Sequence, residues 1–324
     1  MHAGLKITAF AAALAATFGT AYGVGQGIGP VADDERPARH DTHTGGGSGR
    51  SAHPGEPGHP GHETAPAGGL EISESGYTLD LRTPRLAAGR TADLRFAIRG
   101  DDGRAVTAFR REHDKELHLV VASRDLNTYR HLHPTRAADG TWSIPVSLPR
   151  AGGYRVFADF TPEKKGAENL TLGADLAVSG TYAPQKLPTP NATATTDDGY
   201  EVRLGGALHP GAARELKLTV SRGGRPVTDL QPYLGAYGHL VALRSGDLAY
   251  LHVHPNGEPG DGTTTAGPNI SFTAAAPSSG TYRLFLDFKH DGKVHTAAFT
   301  VSTGGAAAAP MEEAPHESSG AHGH

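Results

Sequence analysis

The chain has 324 residues, 37% of them apolar and 20% charged, which suits about two domains and excludes a membrane bundle or a wholly disordered chain. A net charge of −4 and a pI near 6.5 exclude the concentrated basic surface of a nucleic-acid binder. With no cysteine and two methionines, the chain cannot build disulfides, iron–sulfur clusters, thiolate copper sites or a thioether Cu(I) site, whereas its 19 histidines point to imidazole chemistry.

In chain order, Lys6 precedes an uncharged stretch from Ile7 to Ala32 whose alanine-rich centre ends near Ala21. That centre lies between a secretory apolar region and a membrane helix of about 20 residues. Ala21-Tyr22-Gly23 offers a cleavage site, while Ala11, Ala15, Gly19, Gly23 and Gly27 form the small-residue stripe of packed membrane helices. Residues 1–32 are therefore expected to be a signal peptide or a plasma-membrane anchor, with the remainder exported or secreted. Residues 33–69 lack apolar periodicity and read as a disordered linker carrying His40, His43, His53, His59 and His62. The tail 304–324 reads the same way and carries His316, His322 and His324.

Between these segments the sequence repeats. Gly103-Arg104-Ala105-Val106-Thr107 matches Gly224-Arg225-Pro226-Val227-Thr228, and His118-Leu119-Val120 matches His239-Leu240-Val241. Tyr129-Arg130-His131-Leu132-His133-Pro134 matches Tyr250-Leu251-His252-Val253-His254-Pro255, and the stretch from Gly153 to Phe160 matches Gly280 to Phe288 with one inserted threonine. Two domains follow, 70–180 and 194–303, joined by a Pro-rich linker over 181–193. Alternating patterns between turn residues predict strands near 77–82, 92–99, 117–123, 128–133, 142–148, 153–160 and 170–178. In the second copy they fall near 200–204, 214–221, 238–244, 248–254, 269–275, 281–288 and 294–301. Seven short strands per copy predict an all-β chain of two tandem immunoglobulin-like β-sandwiches. Trp142 is expected in the first core.

Both copies place a histidine 13 and 15 residues before a His-x-His-Pro, giving the sets His118, His131, His133 and His239, His252, His254. Residues i and i+2 of a strand share a face. A two-residue turn at Ser245-Gly246 or Gly246-Asp247 keeps all three histidines of the second copy on one face, and the parity is the same around Arg124-Asp125-Leu126 in the first. Each triad is thus expected to project outward from its hairpin and to suit Cu(II) or Zn(II). Asp159 and Asp287 are candidate fourth groups. Only the first copy adds His113, flanked by Glu112, Asp114 and Glu116, so domain one is expected to bind the first equivalent of metal. A purely structural role for the histidines at strand ends is the competing reading.

The stretch from Glu116 to Pro134, with Tyr233 to His239 and Tyr250 to Pro255, resembles bacterial exported or membrane-anchored proteins described as heavy-metal-binding, with YtkA-like β-sandwich modules. The resemblance covers about residues 70–302 and implies a metal link and a membrane association. No His-Glu-x-x-His, P-loop or Gly-x-Ser-x-Gly motif is present, so no enzyme is expected. The sequence reads as an extracytoplasmic protein for copper or zinc capture or delivery. The alternative is a non-metal envelope scaffold whose sandwich loops meet a protein partner.

Overall fold

The computed structural model describes residues 67–251 and 253–303. The apolar segment, residues 33–66 of the linker, His252, the side chain of His254 and the tail from 304 lie outside the described residues.

The first sandwich comprises β1 (Ser73–Glu74), β2 (Tyr77–Leu81), β3 (Arg85–Ala87), β4 (Thr91–Arg99), β5 (Phe109–Arg110), β6 (His118–Ser123), β7 (Tyr129–Leu132), β8 (Thr135–Arg136), β9 (Trp142–Ser147), β10 (Gly152–Pro162) and β11 (Leu170–Ser179). The second comprises β12 (Thr193–Thr195), β13 (Tyr200–Gly205), β14 (Arg214–Arg222), β15 (Arg225–Pro226), β16 (Gly238–Arg244), β17 (Tyr250–Leu251), β18 (His254–Pro255), β19 (Asn269–Ala274), β20 (Thr281–His290) and β21 (Lys293–Ser302). In domain one the sheet β1-β2-β4-β9-β8 faces β3-β11-β10-β6-β7, with β5 paired to β10. In domain two β12-β13-β14-β19-β18, with β15 on β14, faces β17-β16-β20-β21. The described residues are all-β, two immunoglobulin-like sandwiches in tandem, and none of them is helical.

Each sandwich buries its own core. In the first, Leu94, Phe96, Leu119, Val121, Val156 and Phe160 interdigitate, and Trp142 stacks on Phe96 at 6.3 Å. In the second, Val202, Leu218, Leu240, Phe272, Leu284 and Phe288 do the same. A third apolar cluster joins the two domains. Val120, Ala122, Tyr129 and Phe157 of the first pack against Val241, Leu243, Tyr250 and Phe285 of the second. Strands β6, β10, β16 and β20 are therefore covered on both faces, one by their own sandwich and one by the other domain.

Three expectations need correction. The strand expected over 248–254 is two strands: β17 ends at Leu251, and β18 pairs with β19 in the opposite sheet. Val253, buried in the core, marks the corner where the chain changes sheets. The hairpin loop before β17 has four residues, 245–248, closed by Arg244 N–H to Ala249 O at 2.9 Å, because Asp247 pairs with Arg244 and accepts from the Ala249 N–H at 3.1 Å. Its strands keep the anticipated parity, with Ala242 opposite Leu251. The linker read as disordered up to 69 is ordered at its end. Gly68 exchanges two 2.9 Å bonds with Tyr250, and the Arg155 guanidinium donates to Gly69 O at 2.7 Å and Leu70 O at 2.7 Å. The backbone comes so close there that a Cβ on Gly173 would collide with Gly69 O.

Candidate metal centre

The upper end of this seam is made of histidines. His118 begins β6, and on the next strand Asp159 is its cross-strand partner. His131 lies on β7 opposite Val120, and His133 follows two residues later on the same face. In domain two, His239 on β16 is the cross-strand partner of Asp287 on β20. The seam brings these two surfaces together. One ring nitrogen from each of His118, His131 and His133 lies within 4.8 Å of the other two. Ring centroids are 5.2 Å apart for His118 and His239 and 5.1 Å for His131 and His239.

The cluster thus differs from two separate outward-facing sites. The domain-one triad is gathered as its spacing suggests, but it faces the second sandwich and not solvent. From the second copy, His239 joins that triad. His252 lies outside the described residues, and the backbone of His254 belongs to the opposite sheet, so the described residues do not assemble a second triad.

His113 reaches the cluster from a two-residue turn closed by Glu112 N–H to Lys115 O at 2.9 Å and Lys115 N–H to Glu112 O at 3.0 Å. The turn sets His113 and Asp114 at φ of 49° and 63°, the left-handed region that costs a side-chain-bearing residue energy. The His113 ring lies 5.2 Å from His239 and 6.1 Å from His118. The equivalent turn of domain two carries Leu234 and Gly235, again at positive φ, and offers no imidazole. Two of the surrounding acids are engaged elsewhere. Glu112 accepts from Thr161 at 2.5 Å and Asn169 at 3.3 Å, and Glu116 pairs with Arg136 at 3.2 Å.

Behind the histidines stand two buried carboxylates. Asp287 accepts from His131 Nδ1 at 3.0 Å, the Tyr129 hydroxyl at 3.2 Å and the Thr296 hydroxyl at 2.6 Å, and the His131 and Asp287 side chains are each 3% exposed. Asp159 accepts from Asn169 at 2.7 Å and from the Tyr250 hydroxyl. The pattern is reciprocal, because each domain's tyrosine reaches the other domain's aspartate. Burial and the facing aspartate push both tyrosine hydroxyls well above their ordinary pKa, so they remain donors.

The hydrogen bonds fix the tautomers. His118 Nε2 lies 3.2 Å from Glu112 O, a carbonyl that can only accept, so this nitrogen carries the proton. His131 Nδ1 donates to the Asp287 carboxylate. In neutral rings, the remaining nitrogens, His118 Nδ1 and His131 Nε2, then hold lone pairs, and they face each other at 3.2 Å. His133 Nε2 is buried with no hydrogen-bond partner. Burial, reinforced by neighbouring His131, lowers the pKa of His118 to about 4 and that of His133 to about 3, so both are neutral near pH 7. The adjoining cavity, lined by His113, His118, His239 and Asp159 among others, measures about 10 Å³. That is room for about one water-sized sphere.

Fold and site together define a duplicated β-sandwich protein with a histidine cluster in the seam between its copies. The chain belongs to the family described as Domain of unknown function (DUF8832), whose sequence model matches residues 72–171 and 194–305. No curated protein matches it. Among solved structures it is similar to the Escherichia coli adhesin FdeC, at 13% identity over 72% of this chain and 65% of that one, with a TM-score of 0.23. It is also similar to a Salmonella alpha-2-macroglobulin mutant, at 14% identity over 74% and 16% of the two chains with a TM-score of 0.25. A third likeness is to the D0-D1 domain of intimin, at 12% identity over 69% and 96% with a TM-score of 0.20. The chain spans less than two thirds of the length of the first two.

Proposed function

We propose that this is an extracytoplasmic protein that captures or delivers a divalent cation, Cu(II) or Zn(II), at His118, His131 and His133, without turnover. The observation that carries the reading is the pair of ring nitrogens, His118 Nδ1 and His131 Nε2, facing each other at 3.2 Å while the other nitrogen of each ring meets an acceptor; in neutral rings both facing nitrogens hold lone pairs. Two such nitrogens repel unless a proton or a cation lies between them. The separation is close to the edge of about 3.3 Å expected for a tetrahedron with metal–nitrogen bonds of about 2.0 Å. Each of these two histidines also donates its other N–H to a carboxylate or a carbonyl, the outer-sphere arrangement usual for metal-bound imidazole. The apolar segment at 1–32 and the resemblance to exported heavy-metal-binding proteins support export and attachment to the membrane.

The test uses the full chain with the tail histidines 40, 43, 53, 59, 62, 316, 322 and 324 replaced by alanine, loaded with Zn(II) or Cu(II), dialysed and analysed for metal. One ion per chain is expected. His133→Ala should abolish it while the chain stays folded, since the Nε2 it removes has no hydrogen bond to lose. No retained metal in the parent chain would overturn the reading in favour of a proton shared between His118 and His131.

A further inference from the structure

Resting on that reading, we propose that the cation is held by both sandwiches at once, with His239 as its fourth ligand and Asp287 as the positioning group that aims His131. The metal would then act as a bond between the domains, so that loading the site and closing the seam are one event.

Four rings support this arrangement. Centroid separations are 5.4 Å for His118–His131, 5.3 Å for His118–His133, 5.2 Å for His118–His239, 4.9 Å for His131–His133 and 5.1 Å for His131–His239. Four imidazoles placed tetrahedrally on one ion, with metal–nitrogen bonds of about 2.0 Å, have centroids about 5 Å apart. His239 meets that separation to two members of the domain-one triad although it arrives on a different domain.

The second connection is Asp287. It neighbours His239 across β16 and β20, yet its bond to a ring nitrogen goes to His131 of the other domain. This orientation leaves His131 Nε2 turned towards His118. No lysine or arginine among the described residues is ion-paired with Asp287, whose other donors are the neutral hydroxyls of Tyr129 and Thr296. Burying a carboxylate is costly, and a divalent ion bound through His131 offsets that cost. Both domains thus supply groups that gain from the same ion. By linkage, whatever strengthens the seam strengthens metal binding, and the metal strengthens the seam by the same factor. Release of the cargo requires the sandwiches to part at His239.

The experiment compares the full chain bearing the tail-histidine replacements with its His239→Ala, His239→Gln and Asp287→Asn versions. Zn(II) affinity is measured in competition with a chromogenic chelator, and Co(II) is added as a spectroscopic probe. The parent should show the intense visible absorption of tetrahedral Co(II). Loss of His239 should weaken Zn(II) binding by about 100-fold or more and collapse that absorption, and Asp287→Asn should weaken binding by about 10- to 100-fold. Should the His239 variants misfold, hydrogen exchange on the parent gives the answer. Zn(II) should slow exchange along β16 as well as β6 if both domains hold the ion. Unchanged affinity and spectrum in folded His239 variants, or metal-induced protection confined to domain one, would overturn the two-domain site and leave the triad reading standing. No metal bound by the parent would remove both.

Discussion

Acidifying the metal-free protein should destabilise it through His118. Burial lowers this ring's pKa from 6.5 to about 4 in the folded chain, while the unfolded chain keeps the ordinary value. Between those two pH values the unfolded chain binds a proton that the folded chain excludes. Stability contributed by neutral His118 is therefore complete above about pH 6.5, falls as the pH drops towards 4, and levels off below. At about 1.4 kcal/mol per unit, the full shift amounts to about 3 kcal/mol, of which about 2 kcal/mol is lost by pH 5. His133, lowered to about 3, adds to the slope in the same direction. The assay is urea unfolding in EDTA at pH 7, 6 and 5, with His118→Gln as the control that carries no titrating ring. A midpoint that stays constant from pH 7 to 5, or a His118→Gln slope equal to that of the parent, would show that His118 is not held neutral by burial and would refute the tautomer argument built on it.

Two further predictions concern the seam. Phe285→Ala removes the ring stacked on Tyr129 at 4.1 Å and should cost about 3–5 kcal/mol by urea unfolding; a loss below about 1 kcal/mol would mean the seam closes without that ring. Gly173→Ala should push Gly69 off the sheet and expose the chain near residue 68 to limited proteolysis, and an unchanged cleavage pattern would show that the segment does not depend on this close approach.

Much of the fold was legible because each element carried a local signal. The strands β2, β4, β9, β11, β13 and β14 read from alternation between turns, and the repeated blocks marked the duplication. The seam had a signal too, one that an isolated sandwich does not produce. Strand β6 reads HLVVAS with every residue buried, and Val120 and Ala122 occupy positions where a solvated sheet would carry polar side chains. Phe157 and Phe285 do the same at matching points of β10 and β20. Apolar residues on both faces of paired strands mean that something covers the outer face, and here it is the other copy. The very short strands β1, β3, β5, β8, β15 and β18 have no period to detect. The sheet change after Leu251 was hidden because Leu-His-Val-His alternates as a continuous strand would while the chain turns a corner.

The site follows the same logic. Spacing along one copy could show that His118, His131 and His133 share a face, but it could not show what that face meets. The reciprocal contacts supply the answer: Tyr129 bonds Asp287, Tyr250 bonds Asp159, and each tyrosine ring lies against the other domain's phenylalanine. This is the contact pattern of a two-fold dimer written into one chain. A strict two-fold would give equal roles to the two copies, and duplication within one chain frees them to differ. They differ at the two-residue turns that meet above the cluster, where one holds His113 in a left-handed conformation and the other holds Leu234 and Gly235. Under the two-domain proposal this asymmetry belongs to a single centre, to which domain one would bring the triad and domain two His239, with Asp287 aiming His131.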